Sequence, residues 1–270
     1  MKFKILIYIL FPLVLGSCKG YEKLLKGSDY QLKYDKAFEY YGNKDYVRSA
    51  TLFEQIATVY RGTIKADTIQ YYRAKAYYNQ RDYTMAGHYF SELTKTFPKS
   101  PFAEDSEFMN AYCSYMLSPR PELDQASTYA AINYFTLFII NHPRSLRIQE
   151  AKSLIVEMNE KLVNKSYISA RLYYDLSDYK ASIIALRNSL NEYPDTKYRE
   201  ELMFLLLKSS YLLAENSIAS KIKDRYQAAV DEYYSFVSEF PTGKYSDDAK
   251  KMYDSSMRFL GQDTNQNSIQ

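Results

Sequence analysis

Apolar, small and polar positions recur along this chain with a helical period and a fixed punctuation. Tyr46, Ser49, Phe53 and Tyr60 set the pattern, followed by Tyr83, Ala86, Phe90 and Phe97-Pro98; Tyr179, Ser182, Leu186 and Tyr193-Pro194; and Tyr226, Ala229, Tyr233 and Phe240-Pro241. A further copy puts Thr128 first, then Ala131, Phe135 and His142-Pro143. The small residue falls three on, the large apolar one seven on and the proline fifteen on, with Arg61 in the proline's place in the first copy. Offsets of three and seven share one face of an α-helix, so the small residue admits a neighbouring helix that the large one packs against. The proline ends the helix. Ser100 before Pro101, with Ser145 and Thr196 after the later prolines, predicts an N-cap for the helix that follows.

A second helix precedes each of three copies: Ala37 with Tyr40-Tyr41, Ala74 with Tyr77-Tyr78, and Ala170 with Tyr173-Tyr174. Each runs through a polar turn into Asp45, Asp82 or Asp178. This order of helix, turn and helix resembles the tetratricopeptide (TPR) repeat. The first positions of successive copies lie 37, 45, 51 and 47 residues apart, so the units are longer than the minimal repeat. The clearest insert is Ser118-Pro-Arg-Pro-Glu-Leu-Asp-Gln125, whose prolines cannot sit inside a helix. The fold class expected is all-α, a TPR-like α-solenoid of five helix-turn-helix repeats at about 30–65, 66–101, 102–146, 147–197 and 198–245, then a capping helix. Residues 30–260 are expected to form one continuous unit, and the polar segment 261–270 a disordered tail.

Composition agrees. Eight glycines in 270 residues are few, and 30 tyrosines with 14 phenylalanines supply bulky ridges, tyrosine adding a polar tip at half-buried positions.

At the N-terminus, a basic start at Met1-Lys-Phe-Lys4 leads into an apolar run from Ile5 to Leu15, then Leu15-Gly-Ser-Cys18. The run has the length of a signal h-region and is too short to span a bilayer. It resembles the precursors of bacterial lipoproteins, which implies a signal peptide at 1–17, lipidation at Cys18 and a lipidated tether over 18–29. Lys19, not Asp, follows the cysteine, which in the enterobacterial sorting convention favours the outer membrane. With Cys18 committed to lipid, Cys113 is the single remaining thiol, and its apolar helical surroundings mark it as a small buried hydrophobe.

Charge asks for no nucleic acid: removing Lys2 and Lys4 with the signal leaves 33 basic against 32 acidic residues. His88 and His142 lie in different repeats without metal-ligand spacing, so no metal is expected. Glycine patterns of phosphate loops and nucleophile elbows are absent from the sequence. Ser177-Asp-Tyr-Lys180 matches S-x-x-K but lies across a turn, and its companion motifs S-D-N and K-T-G are missing. No catalysis, cofactor or small-molecule substrate is expected.

Several stretches carry a resemblance beyond generic repeats. They are Tyr21-Glu-Lys-Leu-Leu-Lys26, Phe97-Pro-Lys-Ser-Pro-Phe-Ala-Glu104, the insert at 118–125 leading to Ala131-Ile-Asn-Tyr-Phe-Thr-Leu-Phe138, and Tyr167-Ile-Ser-Ala-Arg-Leu-Tyr-Tyr174 through Tyr193-Pro-Asp-Thr196. With the lipobox, they resemble the BamD family of the outer-membrane β-barrel assembly (BAM) complex. The resemblance implies a lipid-anchored protein on the periplasmic face of the outer membrane. Its partners would be the POTRA domains of BamA and unfolded outer-membrane proteins, the latter bound through their C-terminal β-signals. First helices of TPR pairs line the concave face, so Tyr34, Phe38, Tyr41, Tyr71, Lys75 and Tyr78 are expected to form a peptide-binding groove that stacks an aromatic residue and pairs a carboxylate. Arg171, Arg187 and Asn188 are the candidates for the BamA interface. The family's interface arginine falls on Ala185 in this register. Two other readings stay open: a periplasmic TPR adaptor for a cell-envelope or peptidoglycan enzyme, and a glycan-binding lipoprotein, against which the absence of Trp argues.

Overall fold

The structure, a computed structural model, describes residues 20–267. Among them every regular element is helical: α1 (residues 20–26), α2 (Tyr30–Gly42), α3 (Tyr46–Ala57), α4 (Ala66–Asn79), α5 (Tyr83–Thr96), α6 (Ala103–Leu117), α7 (Ala126–Asn141), α8 (Ile148–Asp175), α9 (Tyr179–Glu192), α10 (Arg199–Glu215), α11 (Ala219–Glu239) and α12 (Ser246–Asn267). The all-α class and its consecutive helix-turn-helix pairs are as the spacing predicts. The signal segment and Cys18 lie outside the described residues.

Three of the turns are made the same way. Lys44, Arg81 and Ser177 adopt left-handed backbone at φ 61°, 64° and 61°. The amides of Asp45, Asp82 and Asp178 reach back to the carbonyls of Tyr40, Tyr77 and Tyr173, and those of Lys44, Arg81 and Ser177 to Tyr41, Tyr78 and Tyr174. This is the Schellman closure of the first helix. The aspartate then caps the second helix, its carboxylate accepting from the amide of Arg48, Met85 or Ala181. One residue therefore closes one helix with its backbone and opens the next with its side chain.

At the other ends of the pairs the expected N-caps are displaced. α6 begins at Ala103, and its N-cap position, Phe102, makes no side-chain cap. Ser100 sits one turn earlier, accepting from the Phe102 amide at 3.1 Å and donating to Asp67 at 2.7 Å. Thr63, Ser145 and Thr196 each accept likewise from the amide two residues on. The amide of Ser100 closes a turn on Phe97, and that of Ala103 closes one on Ser100, so two turns in series precede the helix.

The packing divides into two compact units where the sequence suggests one continuous run. The first takes residues up to Pro119 with Gln125–Met158; the second takes Arg120–Asp124 with residues from Asn159 onward. The division follows from α8, whose Ala151 and Met158 join the core of α4–α7 while its Ala170 joins that of α9 and α10.

In the first unit each helix from α2 to α7 packs on the next. Every small repeat residue there is buried, and Ser49 donates to the Ala37 carbonyl at 2.9 Å, which satisfies its hydroxyl inside the helix contact. Phe53, Phe90 and Phe135 are fully buried seven residues into the pattern, each contributing about 2–3 kcal/mol by transfer from water. The expected tether is partly structure: Tyr21, Leu24 and Leu25 of α1 pack on Ala37, Leu52 and Phe53 because their spacing makes an apolar stripe. Buried Lys33 fastens α1, donating to the Leu25 carbonyl at 2.9 Å and to Gln55 Oε1 at 2.8 Å.

In the second unit α10 contacts α9, α11 and α12. Leu202 through Leu207 are buried at six consecutive positions. Ser182 and Ser209 share a buried hydrogen bond of 2.9 Å across α9 and α10. Tyr233, the large residue of the last repeat, is half-buried, and Phe236 fills the core instead. Helix α12 continues to Asn267, beyond the point where a tail was expected, since no proline interrupts the polar stretch after Gly261.

Candidate functional site

The predicted groove residues lie on α2 and α4, and all six are half-buried, packed on one side and accessible on the other. On α2, the Tyr34 and Phe38 rings stand 4.9 Å apart, and the Tyr34 ring lies 5.8 Å from that of Tyr60. Tyr41 meets Tyr46 at 5.4 Å, and its hydroxyl accepts from Asn79 at 3.1 Å. On α4, Tyr71 stacks on Phe102 at 4.4 Å with 14° between planes and donates its hydroxyl to Asp105 at 2.7 Å. Tyr78 lies 5.6 Å from Tyr83 and 6.3 Å from Tyr112.

What joins the two rows is Tyr72, a residue sequence reasoning missed. Its ring is 4.9 Å from Phe38, 5.2 Å from Tyr41 and 5.4 Å from Tyr71. One helical step turns a side chain by about 100°, so of the adjacent Tyr71-Tyr72 pair one ring serves α6 and the other bridges back to α2. The doublet was the available signal. Lys65 was also missed: its ammonium lies 4.3 Å from the Tyr34 ring centroid and donates to Gln31 at 3.1 Å.

Burial pushes the hydroxyl pKa of Tyr34, Tyr41 and Tyr78 upward. Tyr71 rises further, from burial first and then from its hydrogen bond to Asp105. These hydroxyls are therefore neutral donors at physiological pH. Lys75 supplies the charge: its ammonium stands 5.8 Å from the Tyr71 centroid, with no carboxylate of the described residues in salt-bridge range. A cation over ring faces without its own anion is suited to a carboxylate brought by a ligand.

The other predicted contacts lie in the second unit and are not brought together as free groups. Arg171 donates to the Tyr167 hydroxyl at 2.8 Å and pairs with Glu201 at 3.1 Å and Asp175 at 3.5 Å. Arg187 is paired with Glu232, while Asn188 beside it is exposed. Ala185 packs at the edge of the α9–α10 cluster, so an arginine there would displace core packing. Cys113 is buried, and desolvation raises its thiol pKa to about 12, which keeps it unreactive. His142 lies 3.1 Å from Glu107 and 4.0 Å from Glu104, carboxylates the sequence spacing had not associated with it. The described residues contain no cluster able to hold a metal ion and no helix long and apolar enough to cross a membrane.

The family described as YfiO, outer membrane lipoprotein, matches residues 27–225, which takes in both helix rows and most of the second unit. The chain belongs to the YfiO family of outer membrane lipoproteins. YfiO is the BamD family, so the chain is a non-catalytic outer membrane lipoprotein with a role in outer membrane protein assembly. No curated protein matches it by sequence. Among solved structures it is similar to the "TPR2AB-domain:pHSP90-complex of yeast Sti1", at 12% identity and a TM-score of 0.39 over 86% of this chain and 99% of that one.

Proposed function

We propose that the chain receives the C-terminal β-signals of unfolded outer-membrane proteins on the α2–α4 surface, and holds them near the BamA insertase through contacts of its second unit with the POTRA domains. The observation that carries the first half is Lys75, an ammonium without an ion-pair partner set among half-buried rings. An extended peptide ending in an aromatic residue and a carboxylate matches it group for group. Lipidation at Cys18 would hold the chain at the periplasmic face of the membrane.

For the POTRA contact, Asn188 is the exposed group with its hydrogen-bonding capacity free, whereas Arg171 and Arg187 would have to exchange internal carboxylates for external ones. Loss of the complex in Asn188→Asp, with smaller effects from charge reversal at the two arginines, is the expected outcome of co-purification from detergent extracts. A complex indifferent to all three would remove the interface.

The decisive experiment for the groove is titration of the mature chain with a peptide carrying a free C-terminal carboxylate. Lys75→Glu is expected to weaken binding by roughly 2 kcal/mol, about thirtyfold, through lost attraction and added repulsion. Unchanged affinity in a variant with a wild-type helical spectrum would exclude the groove.

A further inference from the structure

The arrangement at Lys75 is built again in the second unit. On α10, Phe204, Lys208 and Tyr211 repeat the offsets of Tyr71, Lys75 and Tyr78 on α4. Phe204 stacks on Tyr245 at 4.5 Å and 9°, as Tyr71 stacks on Phe102 at 4.4 Å and 14°. In both places the stacked ring lies just ahead of the next helix but one, α6 or α12, with an aspartate three residues further on: Asp105 after Phe102 and Asp248 after Tyr245. The Lys208 ammonium is 5.9 Å from the Phe204 centroid, matching 5.8 Å for Lys75 over Tyr71, and a third ring, Tyr174 of α8, stands 5.5 Å away.

The repeat that begins with α8 shows what a spent version looks like. There Tyr167 stacks on Tyr198 at 4.1 Å, but its cation, Arg171, is held by the Tyr167 hydroxyl and by Glu201 and Asp175. Lys208 has no such partner. Asp248 faces it, yet its carboxylate is bonded to Lys251 at 2.8 Å, and that pairing first, then Lys208, holds its pKa below the ordinary carboxylate range. Tyr211 donates its hydroxyl to Glu215 at 2.6 Å with the Ser255 hydroxyl 3.2 Å away, so its side chain, three residues on from Lys208 along the same helix, is held in place.

We infer that the second unit carries a second peptide seat, in which Lys208 pairs a carboxylate and the rings of Tyr174 and Tyr211 take an adjoining aromatic side chain of an extended segment. The inference takes its choice of peptide from the reading of Lys75, while its geometry belongs to α8, α10 and α12 alone. One chain would then hold two extended segments at once, or two stretches of one client.

Titration of the full mature chain with a peptide ending in an aromatic residue and a free carboxylate should give two bound peptides per chain. Lys208→Met, which keeps the apolar stem over the rings, should leave one, and an amidated peptide should bind at least about tenfold more weakly. A photoreactive version of the peptide should mark residues near Tyr174 and Tyr211 in the wild-type chain, a readout that does not depend on how any variant folds. One peptide per chain with no mark in the second unit overturns the inference. Marking of the second unit that persists in Lys75→Glu, with affinity there unaltered, sustains it even where Lys75→Glu removes nothing from the first unit and the groove reading falls.

Discussion

The first unit sets large rings against small residues, whereas the second wraps its neighbours around one leucine-rich helix. In the first, Phe108 is fully buried with Phe135 and Phe138 at 5.2 and 5.3 Å, and the alanines at 86, 111 and 131 make room for them. In the second, α10 is enclosed by α9, α11 and α12, and ion pairs such as Arg199 with Glu239 at 2.7 Å fasten the rim. The ring-and-alanine design concentrates its energy in a few side chains and leaves half-buried tyrosines at its surface. The enclosed-helix design spreads its energy over six adjacent positions.

Truncating Phe108 should therefore be the most damaging single change. Phe108→Ala is expected to cost about 4 kcal/mol and Leu206→Ala about 3 kcal/mol, since α10 can relax around a smaller void. Denaturant unfolding followed by amide exchange would show which unit loses protection in each. Equal losses in both units from either change would break the contrast.

Alkali probes the same difference through the tyrosines. Tyr115 is raised to about 12, chiefly by its hydrogen bond to Glu157 and then by burial, and Tyr71 and Tyr77 are raised further by burial and by Asp105 and Glu54. An unfolded tyrosine ionises near pH 10. Because the folded values are higher, the stability these hydroxyls contribute is complete below about pH 10 and declines as pH rises through the folded values. All three lie in the first unit, which should lose amide protection at lower alkaline pH than the second. Phenolate absorbance appearing together with that loss would confirm the order, and simultaneous opening of both units would refute it.

Smaller effects test the turns. Asp82→Ala removes the cap on α5 and should cost about 1 kcal/mol, as should the same change at Asp45 or Asp178. Ser177→Gly relieves a left-handed residue and should gain about 0.5–1 kcal/mol, read as a rise in melting temperature. No gain would mean that the serine's backbone is unstrained.

Much of this was visible in the chain before any coordinates. Ser49, Ala86, Phe53 and Phe90 keep a 3.6-residue rhythm because each faces one neighbour, and that rhythm marks α3 and α5 directly. The run Leu202–Leu207 has no such rhythm because it is covered on every side, so its environment could not be inferred from period. The stripe of Tyr21, Leu24 and Leu25 was too short to separate helix from tether. At the candidate site, the register puts Lys75 on the same helix as Tyr71 and Tyr78, whereas the bridging position of Tyr72 depends on the angle between α2 and α4, a tertiary quantity. Nor could spacing show that Arg171 and Arg187 are engaged by Glu201 and Glu232 from other helices.

The packing of α1 has a mechanical meaning. Cys18 lies three residues before Tyr21, which packs on the core of the first unit, and three residues can span at most about 10 Å. A lipid on Cys18, as proposed, would thus hold the folded body on a very short leash, with Lys33 as the knot. A body held this way could not sweep the full depth of the compartment beneath its membrane. So anchored, it would patrol a thin layer and would meet the clients proposed for it chiefly by lateral diffusion in the plane of the lipid.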